Sequence, residues 1–147
     1  MRKIFTIGFT KMTAEEFFTL LERSGVKLVV DVRLSVKSQL LGFTKYPDIK
    51  YFLRNLSGID YFHDPVFAPT EPLFNRYKKN YITWREYERE FAELMAERNA
   101  DEYILKNYAA RENICLLCAE VSPESCHRRL VAERIRDVLG DVEIVHL

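Results

Sequence analysis

The sequence predicts a single three-layer α/β domain over residues 1–147, with a small, mostly parallel sheet of four or five strands flanked by helices. Three observations predict it. Four short apolar runs are nearly continuous rather than alternating, which is the pattern of strands covered on both faces. Segments with helical spacing and cap signals separate these runs. The resulting alternation of strand and helix suits a parallel sheet joined by crossover connections.

The first run, residues 3–8, leads into Gly8-Phe9-Thr10. The next helix opens at Thr13, where the Thr-x-x-Glu spacing to Glu16 is a capping box, Met12 and Phe17 sit at the staple positions, and Gly25 is the stop. Phe17, Leu20 and Leu21 give this helix one apolar face. Residues 27–32 form the second strand, closed by Asp31-Val32-Arg33. A helix from Asp48 carries Ile49, Phe52, Leu53 and Leu56 at helical spacing and stops at Gly58, before a shorter strand at 59–62. Residues 63–73 hold Pro65, Pro69 and Pro72, and read as an irregular loop placed to cover a pocket. Thr83 and Glu86 make a second capping box, opening a helix with Trp84, Tyr87, Phe91, Leu94 and Met95 turned inward. The strand at 114–119 follows. The last helix is expected from just after Ser122, with Pro123 at its first position and Gly140 as its stop, before a final strand at 142–147.

Composition narrows the function classes. With 30% charged residues and only five Gly and five Pro, neither a disordered tail nor a collagen-like repeat fits. The 22 basic and 22 acidic side chains cancel, which argues against a generic nucleic-acid coat protein. No apolar run approaches the ~20 residues of a membrane span, and the start runs into a strand pattern without a cleavable signal, so a cytoplasmic protein without a membrane partner is expected. In a reducing compartment Cys115, Cys118 and Cys126 are expected as thiols or ligands rather than disulfides.

Ligands of open parallel sheets bind beyond the carboxyl ends of the strands, where loops meet and helix N-termini point. Asp31 ends an apolar strand, where an anion is costly unless paired, and Arg33 points to the same side of an extended chain. Asp31 serves equally well as a brace for its own loop through main-chain N–H groups. The sharpest local signal is the segment from Cys118 to Arg129, in which a strand ends, a helix starts, and two thiols, one imidazole and two guanidiniums share a turn. A thiol near a helix N-terminus and beside cations loses its proton more easily, making Cys126 a candidate nucleophile or ligand. At ~100° per residue, a helix with Val131, Ala132, Ile135, Val138 and Leu139 inward places Arg128 near the centre of that face, His127 near its edge and Cys126 opposite. Arg128 is then the side chain expected in the crevice, and Cys126 is expected against a neighbouring loop.

Cys115, Cys118, Cys126 and His127 also offer zinc-type ligand atoms. Cys115 and Cys118, three apart in a strand, face opposite sides of the sheet and cannot share an ion. The sequence therefore assigns no metal site, and it calls for no cofactor. No nucleophile elbow, phosphate loop, dinucleotide fingerprint or His-Glu-x-x-His is present. Residues 76–85 interleave Arg76, Lys78, Lys79 and Arg85 with Tyr77, Tyr81 and Trp84. This composition fits either a single-stranded nucleic-acid track or a solvated helix edge whose rings dock into the core.

Thr6-Ile7-Gly8, Val30-Asp31-Val32-Arg33 with Ser38, Gly58-Ile59-Asp60-Tyr61, Leu116-Leu117-Cys118-Ala119-Glu120 with Pro123 and Cys126-His127-Arg128, and Val145-His146 occur in an order that resembles the family called domain of unknown function 488. The resemblance implies an intracellular α/β protein, and the family's name assigns no activity. Where family members usually continue Thr-Ile-Gly with His-Ser, this chain has Phe9-Thr10, which removes a candidate acid-base imidazole. Their Leu-Gly-Gly segment is replaced by Pro65-Val66-Phe67-Ala68-Pro69.

The expectation is an enzyme-like domain that binds a small anionic or phosphorylated ligand, such as a nucleotide, in the crevice of strands one, two and four. Arg33 and Arg128 would clamp the ligand, with Gly8 and Thr10 beside them. Asp31 and Glu120 would orient the guanidiniums or move protons, Cys118 would line the floor with Cys126 nearby, and His127 would transfer protons near neutral pH. A nucleic-acid adaptor using residues 76–85, and a non-catalytic structural or regulatory protein, are the alternatives.

Overall fold

In the computed structural model, residues 1–37, 41–120 and 122–147 are described. Ser38, part of the resemblance, lies outside them. Five strands, β1 (Arg2–Gly8), β2 (Leu28–Asp31), β3 (Asp60–His63), β4 (Ile114–Cys118) and β5 (Val142–His146), form one sheet in the order β3-β2-β4-β1-β5. Every pairing is parallel, with Gly8 opposite Cys118 and Asp31 opposite Leu117. The helices are α1 (Ala14–Arg23), α2 (Asp48–Ser57), α3 (Glu71–Lys78), α4 (Trp84–Glu97), α5 (Ala100–Tyr108) and α6 (His127–Leu139). A three-layer α/β domain is the result.

Because successive strand residues face opposite sides, the sheet generates two cores. Ile4, Val30, Leu116 and Cys118 pack with Tyr87 and Phe91 of α4, Ile104 of α5 and Ile135 of α6. Phe5, Ile7, Val29, Cys115 and Leu117 pack with Phe17 and Leu21 of α1 and Leu53 of α2. Cys115 and Cys118 thus lie on opposite faces, as their spacing requires.

Both capping boxes form. Thr13 and Glu16 open α1, and Thr83 and Glu86 open α4, each pair exchanging side-chain and main-chain hydrogen bonds. Gly58 closes α2 at φ +65°, a conformation glycine adopts without the Cβ penalty. Between residues 63 and 73 the chain is more regular than its prolines suggest. A short 3-10 turn (Pro65–Phe67) is followed by α3, whose N-cap Thr70 accepts from the Leu73 N–H. Pro72 lies in the first turn of α3, where a missing N–H costs nothing. Asn99, at φ +55°, separates α4 from α5, a helix that periodicity did not reveal.

The start of α6 differs most from expectation. Cys126, not a residue beside Ser122, is the N-cap, with extended backbone at φ −126° and ψ 137°. Pro123 instead belongs to a preceding tight turn in which the Cys126 N–H donates to the Pro123 carbonyl. Helical phase therefore does not extend back to Cys126, whose side chain is buried as expected but in the same core as Cys118 rather than on the opposite side of the helix.

Candidate functional site

The carboxyl ends of β1, β2 and β4 meet at one crevice of about 490 Å³. Phe9 and Thr10 follow β1, Arg33 follows β2, and Cys118 ends β4 with Ala119 and Glu120 beyond it. Cys126 and His127 enter from the start of α6, while Phe74, Tyr77, Trp84 and Tyr87 of α3 and α4 form an aromatic wall.

Asp31, fully buried, holds Arg33 from two directions. Its Oδ1 accepts from the Arg33 main-chain N–H at 3.2 Å and from Nε at 2.9 Å, and its Oδ2 accepts from Nη2 at 2.7 Å. The two sequence readings of Asp31, ion pair and loop brace, coexist. Tyr61 donates to the same Oδ2 at 2.6 Å, and the Arg33 Nη2 also donates to the Thr44 carbonyl at 2.6 Å. Burial opposes a charged Arg33, but Asp31 more than offsets it and holds the guanidinium protonated beyond its ordinary range. Burial, reinforced by Asp31, pushes the Tyr61 hydroxyl well above its usual value. The guanidinium lies over the Phe9 ring, 5.1 Å from its centroid, so Phe9 supports the cation from below. Among the described residues, Arg33 Nη1 is buried and makes no hydrogen bond.

Beside it, the ligand atoms of Cys118, Cys126 and His127 all lie within 4.8 Å of one another, and all three residues are buried. His127 Nε2 is 2.6 Å from the Val32 carbonyl oxygen. A carbonyl only accepts, so Nε2 carries a hydrogen, and Nδ1 lies on the other side of the ring, 3.9 Å from Cys118 Sγ. The hydrogen bond from Cys126 holds the Cys118 thiol below its ordinary value, and the same bond, with burial, pushes Cys126 up. All three cysteines are free thiols, and burial raises Cys115 on the far side of the sheet.

The residues singled out in the sequence divide into two sets. Arg33, Thr10, Cys118, Cys126, His127 and Glu120 line the crevice. Asp31 lies behind Arg33. Arg128, wholly buried, is beneath the floor, where Nε donates to the Thr6 hydroxyl at 3.3 Å and Nη1 to the Glu120 carbonyl at 2.5 Å. Gly8 packs against the Glu120 main chain. The Glu120 carboxylate pairs with Lys78 at the rim. Sequence reasoning missed the aromatic wall as part of the site, although Tyr77 and Trp84 drew attention as a stretch, and it missed His63, which hydrogen-bonds the Arg33 carbonyl at 2.9 Å. In the 76–85 stretch, Arg76 pairs with Glu90, and Tyr77 packs against Trp84 and Tyr87.

No helix among the described residues is long and apolar enough to cross a membrane. Comparison with curated proteins and with solved structures gave no match. Residues 13–135 match the family described as domain of unknown function DUF488, and on that extent the chain belongs to this family.

Proposed function

We infer that the crevice binds a small anion, with a phosphate-bearing nucleotide as the ligand class that best fits its two halves. The buried Nη1 of Arg33, which has no hydrogen-bond partner among the described residues, carries this reading. A buried donor without an acceptor costs on the order of 1–3 kcal/mol, and an anionic oxygen that reaches Nη1 of this crevice-lining side chain removes that cost. Asp31 and Phe9 hold the guanidinium rigidly, so little side-chain entropy is lost when a ligand docks. The apolar wall of Tyr77, Trp84 and Phe74 offers flat faces suited to a planar ring, with Lys78 at the mouth as a second cation.

The test is thermal unfolding and calorimetry with inorganic phosphate, a nucleoside monophosphate and a nucleoside triphosphate. Nucleotides are expected to raise the unfolding temperature in proportion to concentration, and Arg33→Gln is expected to abolish that rise. Where Arg33→Gln folds poorly, Lys78→Ala on the rim gives a weaker, salt-dependent response. Absence of stabilisation of the unaltered protein by any of these ligands defeats the reading.

A further inference from the structure

Two soft sulfur ligands and one oriented imidazole converge at the crevice floor from separate elements. We propose that Cys118, Cys126 and His127 form a binding site for one borderline-soft divalent cation of the zinc class, with its fourth coordination position open to the crevice. The inference does not depend on the anion reading.

Geometry supports it first. Tetrahedral coordination with ordinary zinc bond lengths separates ligand atoms by roughly 3.5–3.8 Å. The three ligand atoms already lie within 4.8 Å of one another, with 3.9 Å between Cys118 Sγ and His127 Nδ1, so modest side-chain rotation closes the site. The imidazole is fixed in the tautomer that a metal needs. Its Nε2–H donates to the Val32 carbonyl, the kind of outer partner that orients ligating histidines and raises their basicity.

Backbone placement supplies the second argument. Cys126 reaches the site because its extended N-cap conformation turns the side chain inward, and His127 follows as the first helical residue. Cys118 comes from the end of β4 on the same face of the sheet, whereas Cys115 belongs to the opposite core. Among the described residues, no further Cys, His, Asp or Glu places a donor in this group. Three protein ligands are the number found in catalytic rather than structural zinc centres, which keep one position for water or substrate. Here all three ligands line the crevice that also contains Arg33.

The experiment strips the intact chain with a chelator under a phosphine reductant, in phosphate-free buffer, then titrates Zn²⁺ and, separately, Co²⁺ as a spectroscopic probe. One equivalent per chain is expected, with a rise in unfolding temperature that follows free metal. The Co²⁺ adduct is expected to show thiolate-to-metal charge transfer and the intense d–d bands of tetrahedral coordination. Replacing an outer partner of a metal ligand already costs about 10–100-fold in affinity, so Cys126→Ser is expected to weaken Zn²⁺ binding by more than about 100-fold. Cys115→Ala leaves it unchanged. Should Cys126→Ser not fold, the spectrum of the unaltered protein decides alone. Lack of metal uptake, a Co²⁺ spectrum without thiolate charge transfer, or a Cys118–Cys126 disulfide forming on removal of reductant in a chain that binds no metal overturns the proposal.

Discussion

Gly8 lies directly against the main-chain carbonyl of Glu120, so closely that a methyl group in place of its hydrogen would overlap the carbonyl oxygen. That carbonyl also accepts from Arg128 Nη1, and the ends of β1 and β4 and the first turn of α6 are thereby locked together behind the crevice. The requirement for glycine here is close approach rather than backbone freedom.

Gly8→Ala is expected to lower stability by about 1–3 kcal/mol, the range for overpacking a tight interior. Denaturant unfolding measures this, and a midpoint equal to that of the unaltered protein would mean that the Glu120 loop moves aside without cost.

Asp31→Ala removes the counterion of a buried guanidinium and two of its acceptors. Breaking one partner of a buried ion pair costs about 3–5 kcal/mol, so Asp31→Ala is expected to be among the most destabilising single changes outside the apolar cores. Tyr61→Phe removes only one hydrogen bond to a charged acceptor, worth about 1.5–3 kcal/mol. Equal losses for the two variants would show that the Arg33 charge is not what Asp31 stabilises.

A second buried carboxylate behaves the same way away from the crevice. Asp64 accepts from the hydroxyls of Tyr103 at 2.7 Å and Tyr108 at 2.5 Å and from the Val66 N–H at 3.2 Å, tying α5 to the turn after β3. Tyr108→Phe is expected to cost about 1.5–3 kcal/mol, and Tyr103→Phe less, because Tyr103 is partly exposed. Calorimetric unfolding of the two variants, with the order reversed, would contradict this ranking.

The capping boxes set part of the acid response. The Thr83 main-chain N–H holds the Glu86 carboxyl below its ordinary value of 4.5. The folded state thus favours the ionised form, and the resulting stability is complete above the unfolded value and is lost as pH falls through the lower folded value. Glu86→Gln removes this titration, so its unfolding temperature should fall less steeply with acidification below about pH 4.5. Parallel curves for the two proteins across the carboxylate range would show that the box contributes nothing pH-dependent.

Much of the fold was legible because it rests on local chemistry. Thr13 with Glu16 and Thr83 with Glu86 mark helix starts by a spacing that only a helical turn satisfies, and Gly58 marks an end. The sheet face of Cys115 against Cys118 follows from strand alternation alone. Helix α3 escaped notice because Pro72 reads as a breaker unless its place in the first turn is known, and α5 because its separation from α4 depends on the positive φ of Asn99. Within the site, Arg33 and Cys118 were legible as strand-end residues. His63 and the aromatic wall were not, since their contacts with the crevice cross 30 or more residues of chain.

The α/β domain, and the crevice at its strand ends, could be read from the chain because apolar periodicity, strand parity and the capping boxes of α1 and α4 act over a few residues. Packing between distant segments settled the exceptions, bringing Cys126 into the crevice and leaving Arg128 out of it. Extended backbone at Cys126 turns its thiol toward Cys118 and His127, and the close contact of Gly8 with Glu120 places Arg128 beneath the floor. Both outcomes depend on how separate strands and loops pack, an interaction that no short stretch of sequence encodes.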